Sequence, residues 1–251
     1  MGHRSRRQVL VVGLVTSVLL AMPALVSASH AWGSFHWPRP SNPVSLRVVD
    51  SVSNGWDSYL DVAIVDWDKS TVLTLTEEPG APAKGKTCKA LDGKIDVCNS
   101  TYGNTGWLGV AQIWVSGSHI TKATTKVNDT YFNTASYNTP AWRQMVMCQE
   151  IGHDFGLGHQ DETFSNANLG TCMDYTNNPG TNQHPNQHDY DMLATIYSHL
   201  DPSGSTASLP HGNGQADPRA PAAWGQALAD DVYVAWLGRG QMVVTFVIWV
   251  R

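Results

Sequence analysis

The sequence is poor in charge: charged residues make up 15% of 251 positions, and the formal net charge is −5 at pH 7. No basic patch interleaved with aromatic residues occurs, so neither nucleic acid nor an anionic membrane surface is an expected partner. The chain also lacks a Gly-rich phosphate loop and a nucleophile elbow, which argues against nucleotide-binding and serine-hydrolase chemistry.

Cysteine is scarce as well. The four cysteines, Cys88, Cys98, Cys148 and Cys172, include no Cys-x-x-Cys spacing, so a cysteine zinc site is a weak interpretation. An even count in an exported chain predicts two disulfides, with three pairings open. The pairing Cys88–Cys98 is favoured because it closes a short polar loop.

The longest apolar run lies at the N-terminus. Basic residues at 3–7 precede an apolar stretch at 9–26 that is interrupted by Pro23 and followed by small residues. This pattern predicts a signal peptide, cleaved after Ala28 or Ala31, and therefore a secreted protein with no membrane association after cleavage. The alternative is an N-terminal membrane anchor.

Composition divides the rest of the chain. After the signal peptide at 1–28, residues 29–43 form an irregular lead-in, and 44–200 carry the pattern of one domain. The stretch 201–226 is rich in Pro, Gly, Ser and Ala and predicts a linker. Residues 227–251 then predict a β-hairpin around a Gly-containing turn.

Hydrophobic periodicity predicts the elements of the domain. Strands are expected at 44–49, 59–65, 71–76 and 107–115, an exposed strand at 120–128, and a loop region with at most short strands at 77–106. A helix begins at Thr139-Pro140, because Thr can cap it and Pro suits its first position, and it ends before Gly156. A second helix is expected at 185–199, and a further one is sought in 121–138.

The first helix carries a chemically informative face. Gln149 and His153 are four residues apart and lie one above the other, with Glu150 adjacent. A left-handed turn at Gly156 can bring His159 back toward His153. Two imidazoles and one further ligand, with a carboxylate beside them, form the arrangement that hydrolytic zinc requires. Zinc lowers the pKa of its bound water to roughly 7, and Glu150 can act as the general base.

The segment resembles the metzincin signature H-E-x-x-H-x-x-G-x-x-H, which Glu150, His153, Gly156 and His159 match in identity and spacing. Residues 171–175, around Met173, resemble the Met-turn of that family of zinc metallopeptidases. Residues 186–199 are similar to the final helix of matrix-metalloproteinase-like members, so the resemblance covers about 44–200.

The resemblance implies an α+β fold: an N-terminal twisted, mostly parallel mixed sheet with helices, and a smaller C-terminal subdomain with the Met-turn and final helix. It implies one catalytic Zn²⁺ and an extended polypeptide substrate that pairs with an edge strand at 107–115. It also implies a Cys148–Cys172 bridge between the metal helix and the Met-turn. A monomer is expected.

One position departs from the signature, because Gln149 stands where the family has its first zinc-binding His. An amide oxygen is a poorer zinc ligand than imidazole. Gln149 can bind zinc through its oxygen, or His184, His188 or a water can replace it. The third outcome is loss of metal and activity, which leaves a metzincin-shaped extracellular binding protein. A non-peptide metallohydrolase is a further alternative.

Several other residues are weaker candidates. Tyr175 can stabilise an oxyanion or simply pack against the Met-turn, and Asp161 and Glu162 can orient a ligating imidazole or be solvated. A structural Ca²⁺ site has no motif to support it; its candidate ligands are Asp50, Asp57, Asp61, Asp66 and Asp68. No function is assigned to His36, His119, His199 and His211, which show no partner pattern.

Overall fold

The computed structural model describes residues 30–82, 87–202 and 221–251. The predicted signal peptide and residues 203–220 of the predicted linker lie outside the described residues, and so does His211. Along the described chain the elements are β1 (Val44–Ser51), α1 (Asp57–Trp67), β2 (Leu73–Pro79), β3 (Lys94–Ser100), β4 (Trp107–Ser116), β5 (His119–Asn128), α2 (Asp129–Phe132), α3 (Pro140–Asp154), α4 (Gln187–Ile196), β6 (Gln226–Ala227), β7 (Val232–Gly238) and β8 (Gln241–Trp249). Short 3₁₀ turns occur at Pro179–Thr181 and Pro221–Trp224.

The strands form one mixed sheet in the order β2-β1-β3-β5-β4-β8-β7-β6. The β1, β2, β3 and β5 strands are mutually parallel, whereas β4, β8, β7 and β6 join by antiparallel pairing. Helices α1 and α3 pack together, and α3 packs against β4 and β5. The fold is therefore α+β, as the sequence predicts, and it is consistent with a metzincin-like architecture.

The position of β4 differs from the prediction. The sequence places residues 107–115 at the edge of the sheet, but β4 has β5 on one side and β8 on the other. Pairing with β8 runs from Trp107↔Trp249 to Ser116↔Gln241. The C-terminal hairpin thus continues the sheet across the edge that was expected to be free.

The segment 59–65 is helical, so the strand predicted there is wrong. The same segment also has a helical period. Its buried residues lie three or four positions apart within α1, at Leu60, Ala63, Ile64 and Trp67. Val62 and Val65, which the strand pattern also used, are exposed. Burial of one helical face outweighs the strand preference of these β-branched side chains.

The centre of the sheet also differs. The β3 strand lies inside the stretch 77–106, which was predicted as mostly loop, and it pairs on both sides. The β5 strand was expected to be exposed, but its polar residues Thr124, Thr125 and Asn128 are buried because β3 and β4 flank it. The helix sought in 121–138 is only the single turn α2.

Helix α3 begins and ends as predicted. The Thr139 side chain accepts a hydrogen bond from the backbone N–H of Trp142, and Pro140 occupies the first turn. Beyond the helix, Gly156 has φ 95°, and a Cβ there would collide with the carbonyl of Phe35. Only glycine therefore fits this turn. The predicted second helix is shorter, because α4 begins after a capping box between Asn186 and Asp189 and ends at Ile196.

Two disulfides are present, Cys88–Cys98 and Cys148–Cys172, and these are the two expected pairings. The first joins β3 to the segment before it, and the second joins α3 to the turn that contains Met173. In the part of the chain that the structure describes, no helix combines the length and the apolar character needed to cross a membrane.

Candidate metal centre

The C-terminal half of α3 presents an unusual buried polar face. Gln149, Glu150, His153 and Asp154 are all fully buried, although they lie within six consecutive positions. Burial of so many polar groups is costly unless each has a partner or a ligand. The Asp154 carboxylate accepts a hydrogen bond from the Thr125 hydroxyl at 2.8 Å. His153 reaches His159, while the polar side-chain atoms of Gln149 and Glu150 have no hydrogen-bond partner among the described residues.

His153 and His159 meet as the sequence predicts. Their Nε2 atoms are 3.0 Å apart, and their rings are almost perpendicular, at 89°. The turn at Gly156 produces this approach, since the backbone N–H of Gly156 donates to the carbonyl of His153 and closes the helix. The chain then returns His159 to the end of α3.

The outer nitrogen of each ring has a partner that determines its protonation. His153 Nδ1 lies 2.8 Å from the carbonyl oxygen of Leu157, which can only accept, so this nitrogen carries the hydrogen. His159 Nδ1 lies 3.1 Å from Asp231 Oδ2 and is likewise the donor. In the neutral rings, both Nε2 atoms therefore present lone pairs to each other. A cation between them, either a proton or a metal ion, removes their mutual repulsion.

The pKa shifts of the two rings are opposite. Burial holds the pKa of His153 well below its usual value, and the neighbouring His159 lowers it further. Burial also acts to lower the pKa of His159, but hydrogen bonds to Asp231 and Glu162 outweigh it and raise that pKa. The pKa of Asp231 falls to about 2, because the contact with His159 outweighs its burial. The pair therefore combines one neutral imidazole with a carboxylate-supported one, which is the pattern of metal-binding histidines.

Gln149 lies one helical turn before His153 on the same face of α3. Its side-chain oxygen and nitrogen are both buried, and among the described residues neither has a hydrogen-bond partner. An unpartnered buried amide costs about 1–3 kcal/mol. A metal ion at the His153–His159 pair would give the amide oxygen a partner, so Gln149, His153 and His159 fit a three-residue ligand set with one amide oxygen and two imidazoles.

Glu150 lies beneath the junction of β4 and β8. A Cβ added at Gly109 of β4 would collide with its carboxylate, so this position in the strand leaves room for the acid. Burial raises the pKa of Glu150 well above its usual value and the Asp154 carboxylate adds to this, while backbone groups of Ala111 and Ile248 act in the opposite direction. Neither carboxylate oxygen is in hydrogen-bonding geometry with a described group. A carboxylate whose pKa is raised in this way takes up a proton more readily than an ordinary glutamate does.

The turn around Met173 lies directly against α3. A Cβ at Gly152 would be 2.6 Å from the sulfur of Met173 and 2.7 Å from the ring of Trp67, so glycine permits this contact. The Tyr175 ring packs 4.2 Å from the His159 ring, measured between centroids, and its hydroxyl donates to Asp231. The geometry thus favours the packing role of Tyr175 over an oxyanion role.

The C-terminal hairpin supplies two contacts that the sequence did not indicate. Asp231, just before β7, supports His159, and Phe246 of β8 stacks on the ring of His153. No sequence motif marks either residue, and both lie more than 50 residues from the signature. The hairpin therefore closes the centre from the side of β4.

The remaining candidates lie elsewhere or play lesser roles. His184 Nδ1 is 2.5 Å from Asp66, and the His188 ring stacks on that of His30. Glu162 is 3.5 Å from His159 Nδ1 but is exposed, so Asp231 is the stronger support. The Asp161 carboxylate accepts from the backbone of Thr163.

The aspartates considered for Ca²⁺ do not come together as a metal site. Asp66 contacts Lys69, and the carboxylates of Asp50 and Asp68 accept backbone hydrogen bonds from Val52 and Leu75. Among the described residues, no cluster of three or more His, Cys, Asp or Glu ligands includes Asp50, Asp57 or Asp61.

The sequence matches no known family model and no curated protein sequence. Among solved structures, the chain is similar to that of Myroilysin, with 13% identity, a TM-score of 0.38, and coverage of 65% of this chain and 82% of that one. Similarity at this level does not define an activity.

Proposed function

We propose that this protein is a secreted, zinc-dependent metalloendopeptidase with a single catalytic zinc ion. The observation that carries the proposal is the pair of Nε2 atoms of His153 and His159, which face each other at 3.0 Å with their outer nitrogens already engaged. The two disulfides are in keeping with an oxidising, extracellular compartment.

His153 and His159 would hold the zinc ion together with the Gln149 amide oxygen. When bound, zinc supplies Lewis acidity and a water molecule of lowered pKa. Glu150 is the general base: its buried carboxylate takes a proton from the attacking water and passes it to the leaving amine. While the C-terminal hairpin is docked on β4, Asp231 orients His159. The Leu157 carbonyl orients His153 independently of the hairpin, so that ring would keep its Nε2 lone pair toward the ion.

An extended polypeptide substrate would pair with β4, as the edge strand of the fold implies, but β8 now occupies that edge in antiparallel register. Catalysis therefore requires the hairpin to leave β4. We infer that the protein in this conformation is latent, because its own C-terminal strand covers β4.

A second candidate is a non-catalytic binding protein of the same shape. Two observations favour it: Gln149 replaces an imidazole ligand, and the groove along β4 is already filled by β8. The two functions differ in what happens when the groove opens, since only the peptidase then hydrolyses peptides.

The test is cleavage of a quenched-fluorescent peptide library by the purified protein, in its intact form and after proteolytic nicking between Pro202 and Pro221. The expected result is zinc-dependent cleavage that increases on nicking and is abolished by a chelator. Glu150→Gln, which keeps the side-chain volume, is expected to lose cleavage while retaining zinc and the folded state.

Two outcomes would contradict the proposal. Full cleavage by Glu150→Gln would show that Glu150 is not the general base. No cleavage by zinc-loaded, nicked protein with an exposed β4 edge would assign the chain to the binding function.

A further inference from the structure

A second group of histidines lies outside the candidate metal centre. His36 precedes β1, His119 begins β5, and His199 and Asp201 follow α4. Ligand atoms of His36, His119 and Asp201 all lie within 4.8 Å of one another, and the His199 ring lies against that of His36, with centroids 4.8 Å apart. Three imidazoles and one carboxylate thus converge from three separate parts of the chain.

His36 has a buried nitrogen without a partner. Its Nδ1 lies 2.8 Å from the carbonyl oxygen of Ser34 and so carries the hydrogen, which leaves a lone pair on Nε2 in the neutral ring. This Nε2 atom points toward Asp201 Oδ2 at 3.6 Å, too far for a hydrogen bond, and it is buried without a hydrogen-bond partner among the described residues. The His36 side chain is only 4% exposed, so water does not readily satisfy it.

Asp201 is the common neighbour of the three rings. His119 Nε2 lies 3.0 Å from its Oδ1 atom, and His199 Nε2 lies 3.5 Å from the same oxygen. The other oxygen accepts the backbone N–H of Arg39 at 2.7 Å, which fixes the carboxylate in place. Each ring therefore presents its Nε2 atom to one anchored anion.

We propose that His36, His119 and Asp201 hold a second zinc ion, separate from the centre at His153 and His159, and that the neighbouring His199 completes this structural site. The ligand atoms of the first three residues lie within 4.8 Å of one another, whereas the exposed His199 side chain, with Nε2 3.5 Å from Asp201, must turn toward the ion to become the fourth ligand. Three imidazoles and one carboxylate then satisfy a tetrahedral zinc ion, and a closed set of four protein ligands is typical of structural rather than catalytic sites. The Ser34 carbonyl supports His36, and the Arg39 N–H supports Asp201, so two ligands have oriented partners.

The site would connect three segments that are far apart in the sequence: the one before β1, the start of β5 and the one after α4. The backbone of His36 already pairs with Ser118 and Ile120 around His119, while Asp201 pairs with Arg39. The Tyr197 hydroxyl accepts from the backbone of Trp37 and donates to the carbonyl of Phe155, beside the Gly156 turn. Zinc at this position would therefore stabilise the surroundings of the turn that places His159.

The competing explanation is a proton in place of the metal, with one or more imidazolium rings paired with Asp201. That arrangement requires no metal and gives only an ion-pair cluster. The two explanations make different predictions for metal content, so activity is not needed to distinguish them.

The experiment measures zinc per chain by mass spectrometry after equilibrium dialysis of the full protein, with thermal melting in the presence of zinc and of a chelator. Variants are His119→Gln and His199→Gln. The matched control is His184→Gln, because His184 and His199 have similarly exposed side chains, at 56% and 54%, and each contacts one buried aspartate. Anomalous diffraction at the zinc edge on wild-type crystals locates the ion without any variant.

The expected result is that each ligand variant binds one zinc equivalent fewer than the wild type and loses part of the zinc-dependent rise in melting temperature, whereas the control matches the wild type. An anomalous peak is expected between His36 and Asp201. Unchanged zinc content in both ligand variants, or the absence of that peak in zinc-soaked crystals, would overturn the proposal. Loss of zinc from the centre at His153 alone would contradict the proposed function but not this site.

Discussion

The phenyl ring of Phe246 lies face to face with the imidazole of His153, with ring centroids 4.3 Å apart and an interplanar angle of 5°. Phe246 belongs to β8, and its backbone pairs with Ala111 of β4. One side chain therefore both completes the core beneath the sheet and covers the candidate metal ligand. Stability and closure of the centre are coupled through this contact.

Replacement of Phe246 by Ala is expected to lower the free energy of unfolding by about 3–5 kcal/mol, because the side chain is fully buried. It should also speed the removal of zinc by a chelator, since His153 loses its cover. Chemical denaturation and chelator-exchange kinetics measure the two effects. Trp236→Ala is the control within the hairpin, because Trp236 is 68% exposed. Equal effects of the two substitutions would contradict a specific role for Phe246.

Asp231→Asn is expected to weaken zinc binding about 10–100-fold, because His159 would lose the carboxylate that orients it. Glu162→Gln is the matched control: its carboxylate lies 3.5 Å from the same nitrogen but is exposed, so a much smaller change is expected. Competition with a chromophoric chelator gives both dissociation constants. If Glu162→Gln weakens binding as much as Asp231→Asn, Asp231 is not the main support.

Gln149→His is expected to tighten zinc binding by about tenfold or more, since imidazole is a better zinc ligand than an amide oxygen. Gln149→Leu keeps a similar volume without a ligand atom and should weaken binding. The same chelator competition measures both. Identical affinities in the two variants would show that position 149 does not bind the metal.

Asp189 provides a test of pH dependence. Burial raises its pKa from 3.8 to about 6, although hydrogen bonds from Thr171 and Asn186 act to lower it. The folded state therefore retains a proton that the unfolded state releases, so stability falls as pH rises from about 4 to 6, by about 3 kcal/mol from this group. In Asp189→Asn this component should be absent. Denaturation curves at several pH values, with chelator present, measure it, and parallel pH profiles for the two proteins would contradict the assignment.

Nicking the chain between Pro202 and Pro221 tests whether β8 can leave β4. A covalent tether keeps the hairpin at a high effective concentration, so cutting it should permit dissociation on dilution. Hydrogen exchange at the β4 amides, followed by mass spectrometry, is expected to rise on dilution of nicked protein and to stay slow in intact protein. Slow exchange in both at every concentration would mean that the hairpin is a permanent part of the sheet.

Local sequence signals predicted the parts of the structure that depend on neighbouring residues. Thr139, Pro140 and Gly156 determine where α3 begins and ends, so its polar face and the return of His159 followed from the sequence. The two disulfides also agree with expectation. Cys88–Cys98 closes a short polar loop, and Cys148–Cys172 joins the helix and the turn that the signature already relates.

The features that the sequence did not predict depend on distant partners. The alternation at 59–65 is compatible with a strand as long as the buried residues are unknown. Packing of α1 against α3 determines which of them are buried, and the sequence does not show this packing. The sequence of β5 resembles that of an exposed strand because many of its residues are polar. These polar residues are nevertheless buried, since β3 and β4 lie on either side of the strand. Asp231 and Phe246 reach the centre through the pairing of β8 with β4. Such long-range pairing cannot be predicted from the residues that are adjacent in sequence.

The β4–β8 pairing also determines the order in which the molecule is completed. Thr245 of β8 contacts Gln112 of β4 across 133 residues of chain, so this strand joins the sheet long after its partner has been synthesised. Until then, β4 has an uncovered side, and His153 and His159 are accessible. Contacts of such long range form slowly. If the proposed function holds, a newly synthesised chain thus has an interval in which zinc can enter the centre, and docking of the hairpin then retains the ion.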